Sequence, residues 1–280
     1  MSAAPGSNPD LYAVGVCYHV APAPFIARLV AEAARAGRRL RAVVVSNDAS
    51  HPLQSPAPGV DVIRGSNIQL DFSGYFEGFD RLVATAPGAA GANVLFANDS
   101  LLTHHAISTI LRHVLQLDGL LGQLLVPAMV GKLDPYRSIC LRSPWSGHPG
   151  YLSSFCFLLN RHAQPRFRRL PDDAADDGVL AACPVDAAEW GAGLAPVLRE
   201  YIRAHLAYDR SAYLWRAGAA APAELIRKKA QCVYFEHRLS GGIGVDGALL
   251  PINSGPRSRA RIVLAESAAR AVRALVPYRR

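Results

Sequence analysis

Apolar residues in the first hundred positions follow two alternating periodicities, and this alternation constrains the fold more than any other feature of the chain. Short apolar runs rich in β-forming residues predict strands at 11–18, 40–45, 60–63 and 93–96. Apolar residues at helical spacing predict helices at 22–36 and 76–84. Strands that alternate with helices form a mainly parallel sheet that is covered on both faces. We therefore predict an α/β fold.

Polar residues follow three of these predicted strands. They are Ser46-Asn47-Asp48, the segment 64–71 and Asn98-Asp99-Ser100. Ligands of parallel sheets bind outside the carboxyl ends of the strands, so we expect the three clusters to share one binding edge. Asn, Asp and Ser are also ordinary turn residues, and each cluster taken alone is equally typical of a turn.

Beyond residue 100 the periodicity becomes mainly helical. Apolar spacing predicts helices at 105–117, 195–208, 223–239 and 257–280. The segment 137–141 favours a strand, and 151–160 is either a strand or a buried helix. The longest apolar stretch, 119–131, contains Gln123 and Pro127 and is too short to span a bilayer.

Positive charge is concentrated in the last third of the chain. The 280 residues carry 30 Lys and Arg against 22 Asp and Glu, which gives a net charge of +8. Residues 1–198 contain 15 basic and 16 acidic side chains, whereas 199–280 contain 15 and 6. Arginine-rich codon usage is as good an explanation of these basic side chains as selection for phosphate binding. We place a domain boundary at 198/199 and predict a basic, helical extension after it.

Cysteine usage and the amino terminus bear on the compartment. The five cysteines are far apart and include no CxxC pair, which indicates neither a zinc site nor a disulfide framework. The first residues lack the basic n-region and apolar h-region of a signal peptide. We expect a reducing, cytoplasmic location.

Three segments resemble the motifs of a known family. They are VVVSNDAS at 43–50, RGSNIQLDFSGY at 64–75 and FANDS at 96–100. Together they resemble the nucleotide-sugar glycosyltransferases of the GT-A fold, in particular family 2. The likeness is greatest to the rhamnan synthesis F group of polysaccharide glycosyltransferases, which also have an Asn-Asp-Ser motif and a later aromatic-Ser-Phe strand that YLSSFCF at 151–157 resembles. The likeness covers the first 160 residues.

This resemblance implies a fold, a reaction and a cellular role. The fold is a Rossmann-like GT-A fold with a mainly parallel central sheet in residues 1–198, followed by the helical extension 199–280. The reaction moves a sugar from a nucleotide-diphosphate donor to a growing bacterial surface polysaccharide of the O-antigen, capsule or lipopolysaccharide type. The partners are then the donor and a glycan or lipid-linked acceptor, and no nucleic acid.

The resemblance also assigns donor-binding residues. Asp48 stands where the family holds the base or ribose, and Asn98-Asp99 stands where the DXD motif stands. The residues expected to bind the nucleotide sugar are Asp48, Arg64, Asn67, Asp71, Asn98 and Asp99. The run Arg227-Lys228-Lys229 is a second candidate for the diphosphate, and a solvated helix face explains it as well. We expect Asp99 to be a rim carboxylate whose replacement by Ala abolishes transfer and hardly changes stability.

The metal site departs from the family pattern. A DXD motif supplies two carboxylates to a hard cation, whereas here only Asp99 is acidic and Asn98 offers an amide oxygen. We therefore expect Mg²⁺ or Mn²⁺ to bind weakly or not at all, unless His237 adds a ligand. His104 and His105 cannot both reach one ion, because adjacent helical residues point about 100° apart.

The resemblance leaves the catalytic base open. An inverting enzyme needs a carboxylate or His that takes the acceptor proton, and the candidates are Asp71, Glu236 and His148. Asp71 lies in the signature turn, where holding the sugar is an alternative role. Tyr234 and Phe235 flank Glu236 and would raise its pKa, although a salt bridge at a helix end explains 236–238 equally well. A retaining enzyme needs no such base.

Other functions are compatible with the same residues. The missing second carboxylate is also typical of a non-catalytic module that binds a sugar nucleotide or a protein partner. The basic tail shows no zinc, helix-turn-helix or aromatic-interleaved pattern, so a nucleic-acid binder is disfavoured. Arginines and apolar residues interleave after residue 257, which suits either an anionic membrane surface at the inner face of the plasma membrane or a plain closing helix.

Overall fold

The protein, described here by a computed structural model, is built around one seven-stranded sheet. The structure describes residues 9–136, 139–206 and 221–275, with side chains in the last helix up to residue 268. The strands are β1 Asp10–Cys17, β2 Arg39–Ser46, β3 Val60–Arg64, β4 Val94–Asn98, β5 Ala128–Pro135, β6 Gly150–Leu159 and β7 Ala248–Pro251. Their order across the sheet is β3-β2-β1-β4-β6-β5-β7.

Helices cover both faces of the sheet. They are α1 Pro22–Arg35, α2 Asp71–Thr85, α3 Ser100–Thr103, α4 Ile107–Gln116, α5 Asp118–Gln123, α6 Gln164–Asp176, α7 Pro196–Leu206, α8 Ala223–Ile243 and α9 Pro256–Leu275. On one face, α2, α6 and α8 pack over an aromatic core in which Phe96 and Phe157 stack at a ring distance of 4.8 Å. On the other face, α1 and α4 pack over aliphatic residues. The predicted α/β fold is confirmed.

The sheet is mainly parallel, as predicted. β1, β2, β3 and β4 pair in parallel, and β7 pairs in parallel with β5. Only β6 runs the other way, since it is antiparallel to both β4 and β5. The carboxyl ends of the six co-directional strands therefore meet at one edge, which we call the C-edge.

The four early strands match their predictions; β1 and β4 are almost wholly buried, β2 is buried from Ala42 onward, and β3 is buried only at Val60. The ambiguous segment 151–160 is a strand: all ten residues of β6 are buried, which explains its uninterrupted hydrophobicity. The predicted strand at 137–141 is wrong in its described part, where residues 139–141 form a turn and loop; 137 and 138 lie outside the described residues. The strand in this region is β5, which begins inside the apolar stretch 119–131.

The last third of the chain contributes a strand to the sheet as well as helices. β7 completes the sheet, and α8 packs directly against β6 and α6. Predicted helices agree with α7, α8 and α9 within the described residues. Among the helices that the structure describes, none is long and apolar enough to cross a membrane.

Candidate functional site

The three polar clusters lie together at the C-edge, as predicted. Residues 46–48 end β2, residues 64–71 lead from β3 into α2, and residues 98–100 lead from β4 into α3. These strands are parallel neighbours in the order β3-β2-β1-β4, so their carboxyl ends are adjacent.

Asp99 faces the protein, where it holds the loop between β1 and α1. Its Oδ2 accepts hydrogen bonds from the backbone N–H groups of Tyr18, His19 and Val20 at 2.8, 2.5 and 2.8 Å. The residue is only 2% exposed. The expectation that Asp99 is an exposed rim carboxylate is therefore wrong, since it is buried and three amides of the loop donate to it.

Asn98 links the DXD-like segment to α2. Its Nδ2 donates to Asp71 Oδ2 at 2.9 Å, and its Oδ1 accepts from the Ser100 N–H at 3.1 Å. Both ends of the amide are thus bonded within the protein. Asp71 is the first residue of α2, and its carboxylate lies beside that helix amino terminus.

Helix α8 brings a lysine and a second carboxylate to Asp71. We call Asp71, Lys229, Cys232 and Glu236 the Lys229 cluster. The charge of Lys229 acts on Asp71, Cys232 and Glu236, and the backbone N–H of Asp71 donates to the Cys232 sulfur. Spacings of three and four residues place Lys229, Cys232 and Glu236 on one side of α8. The structure thus brings together two of the three predicted base candidates, together with Lys229 from the predicted diphosphate run.

Burial dominates the titration of both carboxylates. Burial raises the pKa of Glu236 to about 7; the Ser154 amide, which donates to Oε1 at 2.6 Å, and Lys229 oppose this rise. Burial also raises the pKa of Asp71, while Lys229, Asn98 and His19 favour its ionised form and Asp99 opposes it. For Lys229, burial lowers the pKa, but the charges of Cys232, Asp71 and Glu236 outweigh it and raise the pKa overall. Glu236 is therefore a carboxylate that can exchange a proton near neutral pH.

His237 lies apart from Asp99, in an aromatic pocket. It is fully buried, its Nδ1 is 3.1 Å from the Tyr136 hydroxyl, and its ring lies 4.0 Å from Tyr151 and 5.3 Å from Tyr201. Burial lowers the pKa of His237 to about 3. Glu236 and His237 are adjacent on a helix, so when one faces the Lys229 cluster the other faces this pocket.

The residues present do not fit the metal site that the resemblance implies. Asp99 Oδ2 is occupied by loop amides, Asn98 is bonded at both ends, and His237 contacts tyrosines. Within residues 9–136, 139–206 and 221–275, no group of three His, Cys, Asp or Glu side chains could hold an ion. We derive no step through a metal.

Asp48 and Arg64 form a separate cluster at the end of β2. The Arg64 guanidinium donates to the carbonyl oxygens of Asp48 and His51. The Asp48 carboxylate accepts from the Ser50 N–H at 2.8 Å and from the Ser50 hydroxyl, and these bonds lower its pKa. Both side chains are partly or fully solvent-exposed, so they line the outer part of the C-edge.

The loop between β3 and α2 is held in an unusual conformation. Asn67 and Leu70 have φ values of 53° and 52°, which non-glycine residues rarely adopt. The loop is tied to β2 by Asn47, whose Nδ2 donates to the Leu70 carbonyl at 3.1 Å. The Oδ1 atoms of Asn47 and Asn67 are buried and accept no hydrogen bond from the described residues. This strain lies beside Asp71 and fixes where α2 begins.

His148 is exposed in the loop between β5 and β6. Its ring packs against the end of α8, where a Cβ on Gly244 would lie 2.7 Å from His148 Cδ2. Cys232 of the Lys229 cluster, and His19, which acts on Asp71, were not singled out from the sequence. Cys232 lies in an apolar stretch typical of a core position, whereas His19 directly follows a predicted strand. Ser154, whose N–H donates to Glu236, lies in the segment 151–157, which was noted only for its resemblance to a strand motif.

No model of a known protein family matches the chain, and no curated protein matches its sequence.

Proposed function

We propose that the chain is a glycosyltransferase that moves a sugar from a nucleotide-diphosphate donor to an acceptor hydroxyl at the C-edge. The observation that carries the proposal is the Lys229 cluster: a carboxylate with a pKa of about 7 lies beside a lysine, at the edge where parallel sheets bind their ligands. The motif resemblance at 43–50, 64–75 and 96–100 supports a nucleotide sugar as the ligand. The acceptor we propose is a growing bacterial surface polysaccharide.

The proposed transfer inverts the sugar and needs two charged groups from the protein. The acceptor oxygen attacks the anomeric carbon while its proton passes to the Glu236 carboxylate. The bond between the anomeric carbon and the phosphate oxygen breaks, and its electron pair leaves with the diphosphate. Lys229 stabilises the negative charge of that leaving group. The charge of Asp71 also acts on Lys229, and we assign Asp71 the role of keeping the lysine ionised.

Replacement of Glu236 by its amide tests this assignment. Glu236→Gln keeps the shape of the side chain and removes its basicity, so turnover should fall by a factor on the order of 10² to 10⁴ with donor binding intact. Glu200→Gln makes the same chemical change on an exposed residue of α7 and should keep full activity. Donor binding is followed by thermal stabilisation with a panel of nucleotide sugars, which also identifies the donor. Unchanged turnover in Glu236→Gln would remove Glu236 from the mechanism.

A second function is favoured by the inward orientation of the DXD-like residues. Both ends of the Asn98 amide and the Oδ2 atom of Asp99 are hydrogen-bonded within the protein, as expected of a module that binds a sugar nucleotide without turning it over. Donor hydrolysis and transfer separate the two functions. A binding module would show thermal stabilisation by a nucleotide sugar and no release of nucleoside diphosphate.

A further inference from the structure

Helix α9 is fixed to the body of the protein by one of its faces. It begins at Pro256, shortly after β7 ends at the C-edge. Ile262 is 2% exposed in the aliphatic core, and Glu266, one turn later, lies 2.9 Å from His105 Nδ1 and 3.2 Å from Lys132 Nζ. These contacts determine which side of the helix faces solvent.

The outer face of α9 is both apolar and basic. Val263 is 51% exposed and Leu264 is 70% exposed, which makes Leu264 one of the most exposed large apolar side chains in the described residues. Arg257, Arg259 and Arg261 are exposed as well, and none forms an ion pair with any residue that the structure describes. The first turn of the helix contains no acidic residue.

Helical geometry arranges these side chains in an ordered way. At about 100° per residue, Val263, Ala260 and Leu264 form a strip that spans about 100° of the helix circumference and is interrupted only by the small polar side chain of Ser267 within the described residues. Arg257 and Arg261 border this strip on the Leu264 side, and Arg259 borders it on the Val263 side. An apolar strip with arginines along both margins is the arrangement that lies in the plane of a bilayer surface, because arginine stems follow the apolar face while their guanidinium groups reach the lipid phosphates.

We propose that the outer face of α9, consisting of Arg257, Arg259, Ala260, Arg261, Val263 and Leu264, binds the surface of an anionic lipid bilayer. Charge complementarity selects this occupant: three arginines that form no ion pair within the described residues, in a helix whose first turn contains no acid, suit a negatively charged surface. A nucleic-acid groove offers no apolar surface that the strip between the arginines could contact. If the proposed glycosyl transfer holds, this binding would bring the C-edge close to a lipid-linked acceptor.

Sedimentation with vesicles tests the proposal without any donor, so its outcome is independent of the proposed reaction. The full chain should sediment with vesicles of two parts phosphatidylcholine to one part phosphatidylglycerol and stay in solution with phosphatidylcholine alone. The triple variant Arg257→Gln, Arg259→Gln, Arg261→Gln should partition on the order of a hundredfold more weakly, because each arginine near an anionic surface contributes a factor of about five. The double variant Val263→Ser, Leu264→Ser should partition to these vesicles roughly tenfold more weakly than the unaltered chain.

A matched control variant removes three positive charges from another part of the surface. Arg161→Gln, Arg168→Gln, Arg169→Gln alters exposed arginines at and before α6, on the opposite face of the sheet, and should bind vesicles like the unaltered chain. Circular dichroism and thermal unfolding establish that each variant is folded. The proposal would be overturned if the α9 and α6 variants sedimented equally or if the chain did not bind anionic vesicles. Tighter binding of duplex DNA through the same arginines would also overturn it, as would a dimer that Val263→Ser, Leu264→Ser dissociates.

Discussion

Asp99 is a structural residue of the C-edge, whatever else it contacts. We predict that Asp99→Ala lowers the free energy of unfolding by about 3 kcal/mol or more, because the N–H groups of Tyr18, His19 and Val20 lose their acceptor in a partly buried setting. Asp99→Asn should recover part of this loss, since an amide oxygen still accepts. Urea unfolding measures both.

Asp48→Ala is the matched control for Asp99. Its carboxylate also accepts backbone and hydroxyl hydrogen bonds at the C-edge, but its side chain is 41% exposed. The loss of stability should be much smaller than for Asp99→Ala. Equal losses would mean that burial of the Asp99 carboxylate is not what makes it important.

Glu236 makes both stability and activity depend on pH. Its pKa is about 7 in the folded chain against an ordinary value of 4.5, so between these pH values the folded state binds more protons than the unfolded state. The contribution of Glu236 to stability is therefore present at low pH and is lost as the pH rises through this window. Relative to that of Glu236→Gln, the free energy of unfolding of the unaltered chain should fall by about 2 kcal/mol between about pH 5 and about pH 8.

Urea unfolding of both chains at the two pH values checks this prediction. If Glu236 is also the base, kcat/KM should fall as the pH drops below about 7, because protonation removes the base. A pH-independent difference in stability between the two chains would show that the carboxyl group titrates normally.

The motif residues show how far sequence reasoning reaches at this scale. Asp71, Asn98 and Asp99 were expected at one edge because parallel strands align their carboxyl ends, and this follows from the order of elements alone. The direction in which Asp99 points was not predictable, since it depends on the path of the loop at 18–20. Glu236 was predicted to have a raised pKa from its aromatic neighbours, but the actual cause includes packing of α8 against β6.

Among the elements, α9 is held by an ion-pair network that responds to acid. Burial alone would raise the pKa of Glu266, but hydrogen bonding to His105 and the charge of Lys132 outweigh it and lower the pKa to about 2. A depressed pKa stabilises the fold above the ordinary value of 4.5, and the contribution is lost as the pH falls toward about 2. We predict that α9 loses about 1 kcal/mol of docking stability in that window.

Hydrogen exchange of the α9 amides measures this docking. Exchange should accelerate as the pH falls below about 4.5, beyond the intrinsic pH dependence of exchange. Glu266→Gln should exchange faster at neutral pH and lack the additional acid response. Identical profiles for the two chains would mean that Ile262 and its apolar neighbours hold the helix alone.

Elements were predictable where burial and periodicity agree. β1 and β6 are apolar over nearly their whole length, and β2 over its second half, because helices cover both faces of the sheet there. β7 was missed because its four residues are only partly buried at the sheet edge. α2 begins at Asp71, five residues before the start of the predicted helix. The first turns were missed because Ser73 and Gly74 interrupt the apolar spacing of the sequence, although both residues are buried.

At the scale of the whole molecule, the two predicted segments share one core. Phe235 of α8 lies 5.2 Å from the Phe72 ring and 5.5 Å from the Phe76 ring, so residues after 198 fill the aromatic core of the residues before it. We predict that the fragment 1–198 shows no cooperative unfolding transition, because removal of α8 exposes this cluster to water.

A chain that ends after Ile252 is the control for this truncation. It keeps α8 and β7 and loses only α9, so it should fold with a lowered midpoint of thermal unfolding. Calorimetry and circular dichroism distinguish the two fragments. A cooperative transition in the fragment 1–198 would instead support the boundary at 198/199 as the limit of an independent domain.

The edge position of β7 has a consequence for how the protein is made. Val130 of β5 pairs with Leu250 of β7, so this side of β5 has no partner until residues 248–251 have left the ribosome. From the synthesis of β5 until that of β7 the nascent chain therefore displays an unpaired strand edge, to which a strand of another chain can add. Products of premature termination keep that edge permanently, and they should accumulate as aggregates rather than as soluble fragments.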